Sequence, residues 1–291
     1  MIEAFIDFEE FFSENLTDYQ IRRKQLEEKY SDLIHYTIKK NAHTKKSFSQ
    51  EWNVFNPEKD STWNMKGEEL LDRFLTETNE SKESINGKLI LDAGCGNGLV
   101  NRFIARAGGI IIGFDFSSSI EKAYKNNMFS NAFFIQADVQ YPAVEYEKFD
   151  IVHASGVLIH TNNTEYSFSC IDRCVKPGGK MSVWLYHPRK DIIHRSFNFI
   201  RRISSRLPVR SQYYLYLFTL LPASYIVKRL KGNKQNIREM MVSILDWFSP
   251  KYRWEHPSSE ATGWFLKRNY HSIKITTTDT FGYNITEIKN S

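Results

Sequence analysis

The sequence predicts an open, mostly parallel α/β sheet with helices on both faces. Three observations carry that expectation. From Gly87 onward, short apolar runs alternate with helical stretches, the rhythm of βαβ units. The runs are near-continuous rather than alternating, as in strands covered on both faces. The first run ends in an acid and a glycine-rich turn that opens a helix, which places a ligand site at the carboxyl end of the sheet.

The elements follow in order. Residues 1–47 read as an N-terminal helical segment: Ile21 to Lys40 is rich in Lys, Glu, Gln, Leu and Arg, all good helix formers. Leu26, Tyr30, Leu33, Ile34 and Ile38 fall at helical spacing. The core is expected over 48–187. Its strands are Leu89–Leu91, Ile110–Ile112, Phe133–Ile135, Phe149–Val152 and Met181–Tyr186. Leu99, Phe103, Ile104 and Ala107 give the first connecting helix a buried stripe, and Gly108-Gly109 ends it. Pro177-Gly178-Gly179 reads as a turn before the fifth strand. Residues 188–248 are helical and lack the strand rhythm, so they form an insertion or lid. Residues 249–291 add a helix at 257–268 and two closing strands, Ser272–Thr278 and Tyr283–Lys289, on either side of Phe281-Gly282. Five plus two strands give a seven-stranded sheet.

Composition narrows the class. Of 291 residues, 41% are apolar, 25% charged and 14% aromatic, which argues against disorder, collagen or a coiled coil. Cys95, Cys170 and Cys174 are the three cysteines, too few and too odd for a secreted disulfide scaffold. Cys170 and Cys174 lie beside Phe168, Ile171 and Val175 and read as core packing; no metal site is expected. The start alternates apolar and acidic residues, unlike a signal peptide. The longest apolar stretch, Tyr213 to Val227, is 15 residues and broken by Pro222, short of the roughly 18 that a spanning helix needs. The expectation is a soluble, cytoplasmic protein.

The net charge of +5 is uneven. Pro188 to Glu239 holds twelve Lys/Arg against two Asp/Glu, while residues 1–18 hold six acids and no base. A basic block on an acidic body suggests a local site for an anionic partner. Its arginines interleave with Ile192, Ile193, Phe197, Phe199, Ile200 and Leu207. That fits a lid packed on the sheet, an amphipathic membrane-surface helix, or a clamp for a phosphate-bearing substrate.

The chemistry is concentrated in Leu89-Ile-Leu-Asp-Ala-Gly-Cys-Gly-Asn-Gly-Leu-Val100. Glycines at a strand-to-helix turn let a ligand approach the backbone closely. A dinucleotide is one option, since its fingerprint is also a glycine-rich turn after a strand. That fingerprint is G-x-G-x-x-G; here the spacing is G-x-G-x-G, with Asp92 two residues before Gly94. A carboxylate there repels a pyrophosphate and suits a cationic or ammonium-bearing ligand. The second strand ends in Asp115, placed to accept two ribose hydroxyls. The third ends in Asp138, and the fourth continues into His153-Ala-Ser-Gly-Val-Leu-Ile-His160.

Together these residues resemble the class I S-adenosylmethionine-dependent methyltransferase family, most closely its small-molecule branch of quinone-biosynthesis C-methyltransferase-like enzymes. The resemblance spans roughly Phe48 to Tyr186. It implies a Rossmann-like fold, S-adenosyl-L-methionine as cofactor and S-adenosyl-L-homocysteine as product. Asp92 and the backbone of Gly94, Cys95, Gly96 and Gly98 would hold the methionine moiety. Asp115 would bind the ribose, with Phe116 beside the adenine; Asp138 and the Val139 amide would read the adenine edge. Ser155 would begin the loop facing methionine and substrate. Phe48–Phe55 is similar to a family segment that caps the cofactor. The zinc ribbon often found before it is absent, as no cysteine precedes Cys95.

Methyl transfer of this kind aligns an activated donor with an O, C or N nucleophile, and a base is needed only if the acceptor must lose a proton. Candidates for the catalytic groups are His160, after the fourth strand; His187 and Tyr186, at the end of the fifth; and His256, in a segment that resembles one folding back towards the family's active site. An unperturbed His160 would titrate near pH 6.5. His153, inside a strand, reads as structural. The fourth strand lacks the Asn/Asp-Pro-Pro-Tyr type motif of many amine and amide N-methyltransferases. The acceptor is expected to be a small-molecule, lipid-linked or phosphate-bearing compound. Peripheral membrane contact through 188–230, a nucleic-acid methyltransferase using the basic block, and a non-catalytic cofactor-binding subunit are the alternatives. Oligomeric state is not legible.

Overall fold

The computed structural model describes residues 43–51, 65 and 67–290. The expected helices before residue 43, and residues 52–55 of the capping segment, lie outside them. Helix α1 is described over residues 43–51, and α2 is Glu69–Thr78. The core then runs β1 Leu89–Ala93, α3 Leu99–Arg106, β2 Ile110–Asp115, α4 Ile120–Asn126, β3 Ala132–Gln136, β4 Phe149–Ser155, α5 Thr164–Asp172 and β5 Val175–Tyr186. Four helices follow: α6 Ile192–Ser204, α7 Val209–Phe218, α8 Leu220–Leu230 and α9 Ile237–Phe248. Helix α10 Ser258–Leu266 and strands β6 Lys274–Thr278 and β7 Gly282–Ile288 complete the chain.

The seven strands form one sheet in the order β3-β2-β1-β4-β5-β7-β6. The first five are parallel and β7 is antiparallel to β5 and β6. The order reverses between β1 and β4, so the ligand crevice of an open α/β sheet falls at their carboxyl ends. This is the Rossmann-like arrangement with a closing antiparallel hairpin, as the strand rhythm predicts.

Each sheet face has its own core, because apolar side chains leave the parallel strands on both sides. On one face Ile90, Ile111 and Phe134 pack with Leu70, Leu71 and Phe74 of α2, Ile104 of α3 and Ile120 of α4. On the other, Leu91, Val152 and Val183 pack with Phe168 of α5 and Trp264 and Phe265 of α10. Pro177-Gly178-Gly179 is not a turn ahead of β5 but lies inside it. The β4–β5 register shifts between Phe149 and Ile151, and Gly178 adopts φ +72°, so the strand absorbs the irregularity without ending.

Helices α6–α9 do not lay their apolar residues on the sheet. Tyr216, Leu221, Met240, Met241, Ile244, Leu245 and Phe248 form a separate core. The link to the sheet is aromatic: Trp247 of α9 meets Tyr186 of β5 at 6.4 Å between ring centres and Phe281 at 5.7 Å. Ile192, Phe199, Phe218 and Leu230 remain 64–83% exposed. Pro222 sits in the first turn of α8, where a missing N–H costs nothing. Among the described residues no helix is long and apolar enough to cross a membrane.

Candidate active site

The loop after β1 is held by glycine geometry. Gly94, Gly96 and Gly98 have φ of +91°, +57° and +70°, a region that side chains other than glycine's rarely adopt. A Cβ on Gly94 would stand 2.4 Å from Val157 Cγ2. The loop turns its amides inward. Gly94 and Cys95 N–H groups donate to the Phe114 carbonyl at 2.7 and 3.0 Å, and Gly98 N–H donates to the Cys95 carbonyl at 3.0 Å. Gly96 N–H donates to Asp115 Oδ2 at 3.0 Å. A phosphate cradle needs the reverse, with N–H groups aimed at the ligand. The dinucleotide option therefore fails on geometry, and the crevice is dominated by carboxylates. Cys95 lies under the loop with its sulfur against Gly113; burial beside Asp92 and Asp115 pushes its thiol well up.

Asp115 closes β2. Ser117 N–H donates to its Oδ1 at 2.8 Å, so each carboxylate oxygen accepts one amide, and the Ser117 side chain is a further hydrogen-bond partner of the carboxylate. An acceptor held this way at the end of β2 suits a ribose hydroxyl. Burial raises its pKa, opposed by the Ser117 and Gly96 hydrogen bonds. Phe116 is half-buried, and Phe48 of α1 approaches it at 6.5 Å between ring centres. Ser118 N–H donates to Ser49 Oγ at 3.2 Å, so α1 crosses the end of β2. Asp138 shapes the loop after β3: its Oδ1 accepts the Gln140 N–H at 2.9 Å, and Val139 beside it is buried.

Beneath the loop runs a charge network that the sequence did not disclose. His153 on β4 bridges Asp92 Oδ1 at 3.3 Å and Glu77 Oε2 at 2.8 Å. Arg73 Nε donates to Glu77 Oε1 at 2.7 Å. The Ser155 hydroxyl donates to the same oxygen at 3.3 Å, which ties it into this network. Burial opposes charge on His153, but the two carboxylates outweigh it and raise its pKa to about 9. Glu77, also penalised by burial, is held down to about 2 by His153 and Arg73. A doubly hydrogen-bonded imidazolium fixes the Asp92 carboxylate at neutral pH.

The other half of the crevice lies at the ends of β4 and β5. Tyr252 to His256 runs back alongside Tyr186: Trp254 N–H donates to the Ile159 carbonyl and His256 N–H to the Tyr186 carbonyl, both at 3.0 Å. The structure brings His160 and Tyr186 together at 6.0 Å between rings. Arg253 stacks over Tyr186 at 3.6 Å from the ring centre. His160 Nδ1 donates to the Tyr252 carbonyl at 2.9 Å. Burial, aided by Arg253 and Arg201, lowers its pKa to about 3, so the expected titration near pH 6.5 does not hold. Burial pushes the Tyr186 phenol far up. The other two candidates are engaged elsewhere. His187 Nε2 meets Thr278 Oγ1 at 3.2 Å on the β6 side. His256 is clamped between Glu260 Oε1 and Thr164 Oγ1, each at 3.0 Å, where α10 meets α5.

A family model described as "Methyltransferase domain" matches residues 91–183. The ubiquinone biosynthesis O-methyltransferase of Coxiella burnetii is 26% identical over 154 residues, covering 52% of this chain and 56% of that protein. The mitochondrial ubiquinone biosynthesis O-methyltransferase of Rattus norvegicus is 31% identical over 118 residues, covering 37% and 34%. The chain thus spans little more than half the length of the curated relatives it matches first. Among solved structures, a magnesium protoporphyrin IX methyltransferase from Synechocystis PCC 6803 with bound SAM gives a TM-score of 0.46 at 13% identity, over 77% of this chain and 79% of that one.

Residues 91–183 match a methyltransferase domain, and they lie within a Rossmann-like sheet.

The methyltransferase domain supplies Asp92, the glycine loop, Asp115, Phe116, Asp138, Val139 and Ser155, all around the β1–β4 crevice. The residues that sequence reasoning missed come from outside it. Glu51 on α1 is 5% exposed, and Asp246 on α9 is half-buried beside Tyr186 and Arg253. Glu77 and Arg73 come from α2. Only α2 had a usable signal: Leu70, Leu71, Phe74 and Leu75 recur at helical spacing. Glu51 and Asp246 are single acids far apart in sequence, which only the fold brings together. Among the described residues no His/Cys/Asp/Glu group could hold a metal ion.

Proposed function

We propose that this chain transfers the methyl group of S-adenosylmethionine to a hydroxyl of a small or lipid-linked acceptor. The observation that carries the reading is the inward-turned glycine loop with Asp92 and Asp115 on either side, a crevice built for a cationic nucleoside rather than a polyphosphate. When bound, S-adenosylmethionine supplies the methyl as an activated sulfonium group. Asp115 accepts the ribose hydroxyls, Phe116 covers the adenine, and Asp138 with the Val139 amide reads its edge. Asp92, fixed by His153, faces the amino-acid end. Helices α1 and α9 close over the crevice and exclude water. The choice of oxygen as nucleophile is supported by the relatives named ubiquinone biosynthesis O-methyltransferase.

A lipid-linked acceptor is further supported by α6–α8, whose exposed Ile192, Phe199, Phe218 and Leu230 alternate with exposed Arg195, Arg202, Arg206 and Arg229. Cations flanking apolar side chains suit an anionic membrane surface, whereas a nucleic-acid face needs cations without so much bare apolar area. The test is transfer of a radiolabelled methyl group to cell extract separated into lipid, small-molecule, RNA and protein fractions. Label in the lipid or small-molecule fraction, as an alkali-stable methyl ether, is expected. Label confined to RNA would favour the nucleic-acid alternative, and cofactor binding without label anywhere would favour a non-catalytic subunit.

A further inference from the structure

Glu51 of α1, Asp246 of α9 and Tyr186 at the end of β5 form one mostly buried cluster, joined by Arg253. The Tyr186 hydroxyl reaches the Asp246 carboxylate as a donor, and the Arg253 guanidinium lies close by. On the far side is Glu51, whose charged neighbours are Asp246 and Asp115. Glu51 Oε2 and Arg253 Nε find no hydrogen-bond partner among the described residues, although the side chains are 5% and 7% exposed. Buried polar atoms are satisfied with few exceptions, and an exception at a functional crevice points to a polar group brought by a ligand. Asp115 is already committed to the Gly96 and Ser117 amides on the cofactor side. The unpartnered atoms therefore mark the acceptor side.

We propose that Asp246 is the general base of the transfer, taking the proton of an acceptor hydroxyl held between Glu51, Tyr186 and Arg253. The assignment rests on the methyltransferase reading above. In the step, the acceptor O–H bond breaks and its proton passes to an Asp246 carboxylate oxygen. The oxygen lone pair forms the bond to the transferred methyl carbon, and the carbon–sulfur electron pair stays on sulfur. Asp246 is half-buried rather than sealed, so its proton then leaves to solvent.

The surrounding groups select Asp246 over its neighbours. Glu51 is pushed well up by burial and by the like charges of Asp246 and Asp115, which favours its protonated, donating form. Tyr186 does not ionise near neutrality and His160 is too weak a base. Asp246 is raised by burial to about 6, against the pull of Arg253 and Tyr186. Two acids pushed apart in this way divide the donor and acceptor roles. The groups facing Asp246 are Glu51 from α1, Tyr186 from β5 and Arg253 from the returning segment. Behind them stand His160, Glu255, which accepts from Arg253 Nη1 at 2.8 Å, and Arg201 of α6.

The test uses the full chain, as wild type, Asp246→Asn and Asp246→Glu, in two measurements. In the first, single-turnover transfer to the labelled extract fraction is followed from pH 5 to 9. The wild-type rate is expected to rise through about pH 6 and level off. Asp246→Asn should lower the plateau about a hundredfold or more and abolish the rise, while Asp246→Glu retains it. In the second, carboxyl-13C NMR of aspartate-labelled protein without cofactor should show one resonance titrating near pH 6 that Asp246→Asn removes. Undiminished transfer by Asp246→Asn, or no aspartate titrating above about pH 5, overturns the assignment. Absence of transfer by the wild type to any fraction overturns the methyltransferase reading instead.

Discussion

His153 carries a charge between two carboxylates, and that sets a pH signature on stability. Its pKa is raised from 6.5 to about 9, so its contribution is complete below pH 6.5 and is lost as pH rises through 9. Glu77 runs the other way: lowered from 4.5 to about 2, it contributes fully above pH 4.5 and fails as pH falls through 2. The pair is at full strength between pH 4.5 and 6.5. His153→Gln keeps a donor but removes the charge from a buried pair, and should cost about 3 kcal/mol at pH 6. By pH 10 the cost should shrink to well under half. Urea denaturation at the two values checks this, and an equal loss at both would mean that His153 is neutral. The identity of His153 was legible in the sequence, and its place inside a strand suggested a structural role. Its partner was not, because Glu77 lies 76 residues away on a helix that meets β4 only in the folded chain.

At the scale of elements, the glycine loop and the strand ends were the most legible part of the molecule. Apolar runs, terminal acids and glycines are local signals, and β1, β2, β3 and β4 all appear where those signals lie. The first four expected strands fall short by up to three residues, because Asp92-Ala93, Gly113–Asp115 and His153–Ser155 pair in the sheet although they break the apolar run, and the fifth falls short by six, because β5 already begins at Val175. The loop makes a sharp prediction. Gly94→Ala forces a Cβ against Val157 at 2.4 Å in a backbone with φ +91°, so the loop must shift, and affinity for S-adenosylhomocysteine should fall at least tenfold. Gly87→Ala is the control. It shares a positive φ of +74° but meets nothing within 4 Å, so it should cost about 1–2 kcal/mol of stability and leave affinity unchanged. Equal affinities for the two variants would show that the loop tolerates a side chain facing Val157. The catalytic candidates were less legible. Histidine is an apt base by its ordinary pKa, but the fold buries His160 against Tyr252 and sends His187 and His256 to other partners. The base proposed instead, Asp246, is a half-buried acid on a distant helix that no local signal ties to the crevice.

The whole molecule places a cation-flanked apolar surface on helices that pack mostly on themselves. Burying even part of Ile192, Phe199, Phe218 and Leu230 in an interface gains about 1.5–3 kcal/mol for each side chain fully covered, and the arginines add attraction to anionic headgroups. Flotation should therefore recover the protein with phosphatidylglycerol vesicles at low salt, less of it at 0.5 M salt, and little with phosphatidylcholine. No recovery with either composition would remove the membrane from the account and leave a soluble acceptor. The central claim, that the β1–β4 crevice is built for a cationic nucleoside, is tested most directly by calorimetry on the full chain. Saturable binding of S-adenosylmethionine and S-adenosylhomocysteine, no heat with NAD, and about 30- to 150-fold weaker binding by Asp115→Ala, the equivalent of 2–3 kcal/mol for bonds to a charged acceptor, are the predicted results. NAD binding in place of S-adenosylhomocysteine, or an Asp115→Ala variant that binds as tightly as the wild type, would contradict it.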